Sequence, residues 1–224
     1  MKRSTSTAEI GVLASGGLDS SILLAHLLAS GRRVRPFYVR SGLSWETTEL
    51  SWLRKFLEAI KRPALAPLVT LELPLADVYG AHWSTTGEAV PGAETPDEAV
   101  YLPGRNALLL IKAVLWCQLH GIGELALAPL ASNPFPDATD QFFAEYESSL
   151  NRATGIPLHI VRPFGKMNKQ QVMHIGRDYP LGLTFSCIAP VEGVHCGRCN
   201  KCAERRAAFR DSELLDPTQY AGEP

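Results

Sequence analysis

Two groups of residues in this 224-residue chain have the types and spacing to do chemistry. The first is Ser15-Gly16-Gly17-Leu18-Asp19-Ser20, directly after the apolar run Ile10-Gly11-Val12-Leu13-Ala14. A strand that ends in glycines and turns at once into a helix makes an anion site. Glycine lets backbone N–H groups come close to a phosphate, and the helix N-terminus adds unsatisfied donors and the positive end of its dipole. No Gly-Lys-Ser/Thr follows, which separates this loop from the Walker A type. The competing account is a tight turn with an Asp or Ser helix cap. Six consecutive residues of suitable type between a strand and a helix favour the phosphate site.

The second group is Cys187, Cys196, Cys199 and Cys202, four of the five cysteines packed near the C-terminus. Cys-x2-Cys spacing lets one tight turn direct two sulfurs at one ion, and the other two close a tetrahedron. Four thiolates suit zinc in a closed, structural site. An iron–sulfur cluster and a metal-free redox pair are the competing readings. His195 adjoins Cys196, but the four cysteines already complete a ligand set. Cys117 lies in an apolar stretch and reads as a small core residue. His26, His82, His120, His159 and His174 show no ligand spacing, and no Ser/His/Asp set suggests a nucleophile.

The elements that must carry these groups follow from the hydrophobic pattern. Strands are expected at 10–14, 34–39, 68–73, 124–128 and 158–162, and helices at 18–28, 45–60, 106–120, 137–153 and 169–178. Alternation of strand and helix predicts a mostly parallel sheet covered on both faces, with ligands beyond the carboxyl ends of its strands. Residues 74–103 are rich in Pro, Gly, Thr and acidic side chains and read as a long substrate-facing loop. The expected division is an α/β domain over 1–165 and a helical, metal-stapled region over 166–224. A net charge of −1 offers no global basic field for nucleic acid. Met1-Lys2-Arg3 and the short apolar run after it do not make a signal peptide core. The longest apolar segment, 107–119, is broken by Lys112 and Gln118 and does not make a membrane span. A cytoplasmic protein with no membrane partner is therefore expected; the sequence leaves a homodimer open.

Further motifs keep a fixed order around these two groups: Pro103-Gly104-Arg105-Asn106 before a helix, Pro136-Asp137 after the fourth strand, and Asn168-Lys169 before a short helix. With the Ser-Gly-Gly-Leu-Asp-Ser loop and the Cys-x8-Cys-x2-Cys-x2-Cys segment, this order resembles the 7-cyano-7-deazaguanine synthase family, within the N-type ATP pyrophosphatases or PP-loop proteins. The likeness spans about residues 10–209. It implies a Rossmann-like five-stranded fold, a structural Zn2+, and ATP with Mg2+ used to adenylate a deazapurine carboxylate that reacts with ammonia. By position in the matching motifs, Ser15, Gly16, Gly17, Leu18, Asp19 and Ser20 are expected to hold the nucleotide, with Asp19 taking magnesium or ordering the loop and Ser20 capping the helix. Arg105 and Lys169 are expected to act with Asp19 as cationic contacts to phosphate or carboxylate. Asn106 reads as a cap or a ligand, Asp137 as a cap or a substrate contact, and Arg162 is undecided.

Two segments depart from the family pattern. After the second strand, a Gln-Arg-His stretch is replaced by Val39-Arg40-Ser41-Gly42-Leu43-Ser44-Trp45-Glu46. After the fourth, acidic residues and Gly-Tyr-Pro-Asp-Cys give way to Pro129-Leu130-Ala131-Ser132-Asn133-Pro134-Phe135-Pro136-Asp137-Ala138. Joining the activated carboxylate to a different amine or acceptor is therefore the alternative reaction. A nucleotide-binding or zinc-stapled module without catalysis is the third reading.

Overall fold

The first two strands of this chain carry apolar side chains on both faces and feed two separate apolar clusters. In the first, Ile10 and Val12 enter one apolar cluster and Leu13 the other; in the second, Val34 and Tyr38 enter the first cluster and Phe37 the second. The computed structural model describes residues 8–222; the Met1-Lys2-Arg3 segment considered above lies outside the described residues. β1 (Glu9–Leu13), β2 (Arg33–Arg40), β3 (Val69–Glu72), β4 (Glu124–Ala126) and β5 (His159–Val161) form one parallel sheet in the order β3-β2-β1-β4-β5. Pro36 is accommodated in β2 opposite Val12, because β3 joins that strand only from Phe37 onward.

On one face lie α1 (Leu18–Ala29), α2 (Glu46–Ala59), α7 (Lys169–Gly176) and α8 (Asn200–Asp211), contributing Leu24, Leu53, Met173 and Phe209 to the first cluster. On the other lie α5 (Arg105–Leu119) and α6 (Asp140–Thr154), contributing Val114 and Leu150 to the second. Two glycines set the closest approaches. A Cβ on Gly11 would stand 3.0 Å from Cys117 Sγ, so the strand's bare backbone lets α5 settle on β1. A Cβ on Gly176 would stand 2.5 Å from Ile22 Cγ1, so α7 lies against α1 only because that position is glycine. Buried in this contact, the Cys117 thiol is pushed up to about 12 by desolvation.

The expected elements form, most with ends shifted by a residue or two. The largest shift is in α6, which starts at Asp140 rather than 137. Pro136–Ala138 form a 3₁₀ turn, and Thr139 Oγ1 caps the helix by accepting from Phe142 N at 3.1 Å. Residues 74–103 hold more structure than the loop expected from their composition: α3 (Ala76–Tyr79), α4 (Trp83–Thr86) and a 3₁₀ turn at Asp97–Val100. Gly92 pairs in an antiparallel bridge with Cys199, and Ala93 N donates to Arg198 O at 3.0 Å. The stretch is thus strapped to the cysteine segment. Among the described residues no helix is long and apolar enough to cross a membrane.

Candidate active site and metal centre

After β3 the chain returns past β1 to place β4 on its other side, and such a reversal leaves a crevice at the carboxyl ends of the strands. A cavity of about 330 Å³ opens there, walled by Leu13 at the end of β1 and Ala14 after it, Tyr38 and Val39 of β2, and Leu127 and Ala128 after β4. Its volume lies in the range of small-molecule sites. Ser15, Gly17, Leu18, Asp19 and Ser20 line it. Gly16 shapes the turn from behind: its φ is +80°, and a Cβ there would stand 3.3 Å from Leu53 Cβ on α2. Its carbonyl accepts from Phe185 N at 2.7 Å, tying the turn to the segment that leads into the cysteines. Gly17 is the N-cap of α1, with no side-chain cap. This corrects the role expected of Ser20, whose hydroxyl lies inside the first turn and donates to Gly17 O at 3.3 Å.

The three residues expected to act together all line this cavity. Lys169, the first residue of α7, places Nζ 2.9 and 2.7 Å from the two carboxylate oxygens of Asp19. Asn168 caps α7 through a reciprocal pair with Gln171, which fixes the direction in which Lys169 leaves the helix. Glu204 of α8 stands 3.5 Å from Lys169 and 2.6 Å from Lys201. Burial opposes the charge on Lys169, but Asp19 and Glu204 more than offset it and hold the ammonium above its usual range. Arg105 opens α5 after Gly104, which takes φ +71° as N-cap; its Nε is buried without a hydrogen-bond partner among the described residues. That leaves a buried guanidinium donor unpaired in the cavity wall, where it is available to an anion.

A second set was not singled out from the sequence. Glu49 lines the cavity from α2 and is 8% exposed; Tyr38 donates to its Oε2 at 2.7 Å. Burial pushes the Glu49 carboxyl up to about 7, against the opposing pull of Arg105 and Tyr38. The signal was present: Glu49 shares the inward stripe of α2 with Leu53 and Phe56, where an acidic residue is out of place. Arg205 is the other addition. At 1% exposed, it donates to Thr184 Oγ1, Ser186 Oγ, Leu181 O and Thr218 Oγ1, bracing the cavity wall.

The undecided polar residues have structural partners. Asp137 accepts Asn106 N at 2.9 Å, and Asn106 Nδ2 donates to Asp137 O at 3.0 Å, so the aspartate caps α5 from the neighbouring segment. Arg162 pairs with Asp140 and lies over the Phe143 ring. Trp83 stacks on Trp45 at 5.7 Å. In the segment that departs after the second strand, Glu46 accepts from Ser41 N at 2.5 Å, Gly42 N at 2.9 Å and Arg40 Nε at 2.8 Å, closing that turn on itself.

The four cysteines come together as their spacing predicts. All are buried and their sulfurs lie within 4.8 Å of one another. Cys187–Cys199 and Cys196–Cys202 sulfur separations are 3.8 and 3.9 Å, matching the roughly 3.8 Å edge of a tetrahedron with Zn–S bonds of about 2.3 Å. Backbone N–H groups of Ala189 and Cys196 point at Cys187 Sγ, and those of Arg198 and Cys199 at Cys196 Sγ, at 3.3–3.4 Å. Such donors favour thiolates. Gly197, at φ +83°, makes the turn between Cys196 and Cys199. His195 is no ligand: its Nε2 accepts from Ser186 N at 3.1 Å, and burial pushes its pKa down to about 3. Cys199 caps α8, whose first turns carry Cys202 to the metal set and Lys201 and Glu204 to the cavity.

The family model described as Queuosine biosynthesis protein QueC matches residues 9–213. The chain belongs to the QueC family. QueC relatives named 7-cyano-7-deazaguanine synthase include one from Xylella fastidiosa strain M12, 29% identical over 93% of this chain and 94% of its own. Others come from Thiobacillus denitrificans, 32% identical over 94% and 97%, and Anaeromyxobacter dehalogenans, 30% identical over 99% and 100%. Among solved structures, a 4-thiouridine synthetase in an RNA complex with bound ATP is 14% identical, with a TM-score of 0.49 over 92% of this chain and 50% of that one. As a QueC family member the chain is an enzyme of queuosine biosynthesis.

Two outcomes test the site's construction. Cys199→Ser lowers bound metal to less than one equivalent and lowers the melting temperature, by metal analysis and calorimetry; a metal-free protein with unchanged melting contradicts the four-cysteine centre. The folded Glu49 carboxyl binds its proton more tightly than an unfolded one, so it weakens the fold as pH rises from about 4.5 through about 7. Glu49→Gln therefore raises stability at pH 8 by about 3 kcal/mol and changes it little at pH 4; urea unfolding at the two pH values reads the difference.

Proposed function

We propose that this enzyme is an ATP-dependent carbon–nitrogen ligase that converts 7-carboxy-7-deazaguanine and ammonia into 7-cyano-7-deazaguanine, and that the cavity beyond β1 is its active site. The observation that carries this is the meeting of the Gly-rich turn, the Asp19–Lys169 pair and Arg105 around one cavity at the sheet's reversal point.

A carboxylate is a poor electrophile, because its leaving group would be oxide. One carboxylate oxygen attacks the α-phosphorus of ATP, and pyrophosphate leaves. Ammonia attacks the resulting acyl carbon; AMP departs with that oxygen, a proton is lost, and an amide remains. The amide oxygen attacks a second ATP, pyrophosphate leaves again, and loss of AMP with two protons forms the C≡N bond. Each ATP-consuming step gathers negative charge on pyrophosphate, where preorganised donors and cations act most strongly. Ser15, Gly16, Gly17, Leu18 and Ser20 supply the turn and the first amides of α1. Asp19 orders Lys169, which faces the departing pyrophosphate, and is the candidate carboxylate for ATP-borne magnesium. Arg105 meets the substrate carboxylate or the α-phosphate. The four cysteines would hold zinc, the structural metal that suits this donor set, and zinc bound there would fix the start of α8 and thereby Lys201 and Glu204.

The departures after β2 and β4 favour one alternative outcome, transfer of the activated acyl group to a different amine. Mass spectrometry of products from the acid, ammonium and magnesium-ATP decides between them. A mass matching the nitrile, with two AMP per product, is expected; an amide or conjugate as final product supports the alternative. Asp19→Ala stays folded and loses at least about 100-fold in ATP turnover; full activity in that variant removes the loop from the mechanism.

A further inference from the structure

Glu49 is a buried carboxylate on a cavity wall with too few donors around it. A carboxylate has about four lone-pair positions; the Tyr38 hydroxyl donates to Oε2 at 2.7 Å and the Trp45 side chain is a second donor beside it, which leaves about two positions open. The residue is 8% exposed and faces the cavity beside Trp45 and Arg105. Its partners decide which chemistry suits it. Tyr38 donates, and Arg105 is a cation near enough to pull on the carboxyl. Both favour the ionised form, whose oxygens only accept. Burial opposes that form, and a ligand that brings two donors would offset the opposition. The same Arg105 disfavours a free cation such as ammonium in that place. The fitting group is neutral and presents two adjacent N–H donors. A 2-amino-4-oxopyrimidine ring, the ring edge of guanine and its deaza analogues, does so through its ring N–H and exocyclic amine. The adenine edge offers one donor and one acceptor and would meet an ionised carboxylate with its acceptor unpaired.

We propose that Glu49, steadied by Tyr38, is the residue that reads the base: its carboxylate accepts the ring N–H and the exocyclic amine of the deazaguanine acid and selects 2-amino-4-oxo substrates. This rests on the proposed substrate, but it makes a claim about binding that stands apart from turnover.

Titration calorimetry on the full-length, zinc-loaded protein without ATP tests it. The probes are 7-carboxy-7-deazaguanine and its 2-desamino analogue, 7-carboxy-7-deazahypoxanthine. Losing one hydrogen bond to a buried charged acceptor predicts about 10- to 100-fold weaker binding of the analogue to the unaltered protein. In Glu49→Gln, whose amide turns a donor toward the base, the acid weakens by a similar factor and the preference shrinks to within about threefold; the Kd for magnesium-ATP moves by less than about threefold. The comparison of the two ligands on the unaltered protein needs no variant, so it holds even if Glu49→Gln misfolds. Equal binding of the two ligands overturns the inference, as does a preference that persists in Glu49→Gln or a variant that loses ATP rather than the acid. Selective binding of the acid with no nitrile produced overturns the proposed reaction and leaves Glu49 as the base reader. Binding of neither ligand overturns both.

Discussion

Lys169 against Asp19 is the contact around which the cavity is organised. It joins the first turn of α1 to the first turn of α7, residues 150 positions apart in the chain, with both carboxylate oxygens within 2.9 Å of one ammonium. Such a bridge is stable only if the two helices lie close, and Gly176 against Ile22 permits that. It also needs a neutral balance in a partly buried place. Two carboxylates, Asp19 and Glu204, face two ammoniums, Lys169 and Lys201, and Glu204 is held below the usual carboxylate range because Lys201 and Lys169 outweigh the cost of burial. Lys169 and Lys201 thus each have a carboxylate partner.

The cysteine centre acts on this arrangement from outside the cavity. Its sulfurs fix the entry to α8, and that helix presents Lys201, Glu204 and Arg205 inward. Residues 91–95 hold the first residue of α8 from the other side, through Asn200 N to Pro91 O and Asn200 Nδ2 to Thr95 O. Phe185 N to Gly16 O completes the link back to the first strand. The four-cysteine cluster, outside the cavity, is thus tied to the Gly-rich turn through short hydrogen-bonded links.

What the sequence made legible were features that depend on neighbours in the chain. The Gly-rich turn, the Cys-x2-Cys turn and the strand–helix alternation are local, and all stand where their patterns put them. Features decided by distant parts of the chain were harder to read. Ser20 looked like a cap because its type is right, but the extended backbone at Gly17 puts the helix start three residues earlier. Asp137 reads in sequence as a helix cap or a substrate contact; in the fold it accepts the Asn106 amide at the start of α5, a helix distant in the chain. Glu49 is indistinguishable in sequence from a surface glutamate unless the apolar stripe of α2 is drawn first; its raised pKa then follows from burial that only the packed fold creates. Residues 74–103 read as a loop because Pro, Gly and acidic composition reports the absence of long helices, not of short ones anchored to another segment.

The central claim is that this cavity activates a carboxylate by transfer of AMP. Oxygen tracing tests it directly: the acid, labelled with 18O in its carboxyl group, is turned over with ATP and ammonium, and the phosphorus products are analysed by mass spectrometry. Adenylation delivers the label to AMP and leaves pyrophosphate unlabelled. Label in inorganic phosphate, or unlabelled AMP alongside product, would mean that the oxygen leaves by another route, and the function assigned to this cavity would be wrong.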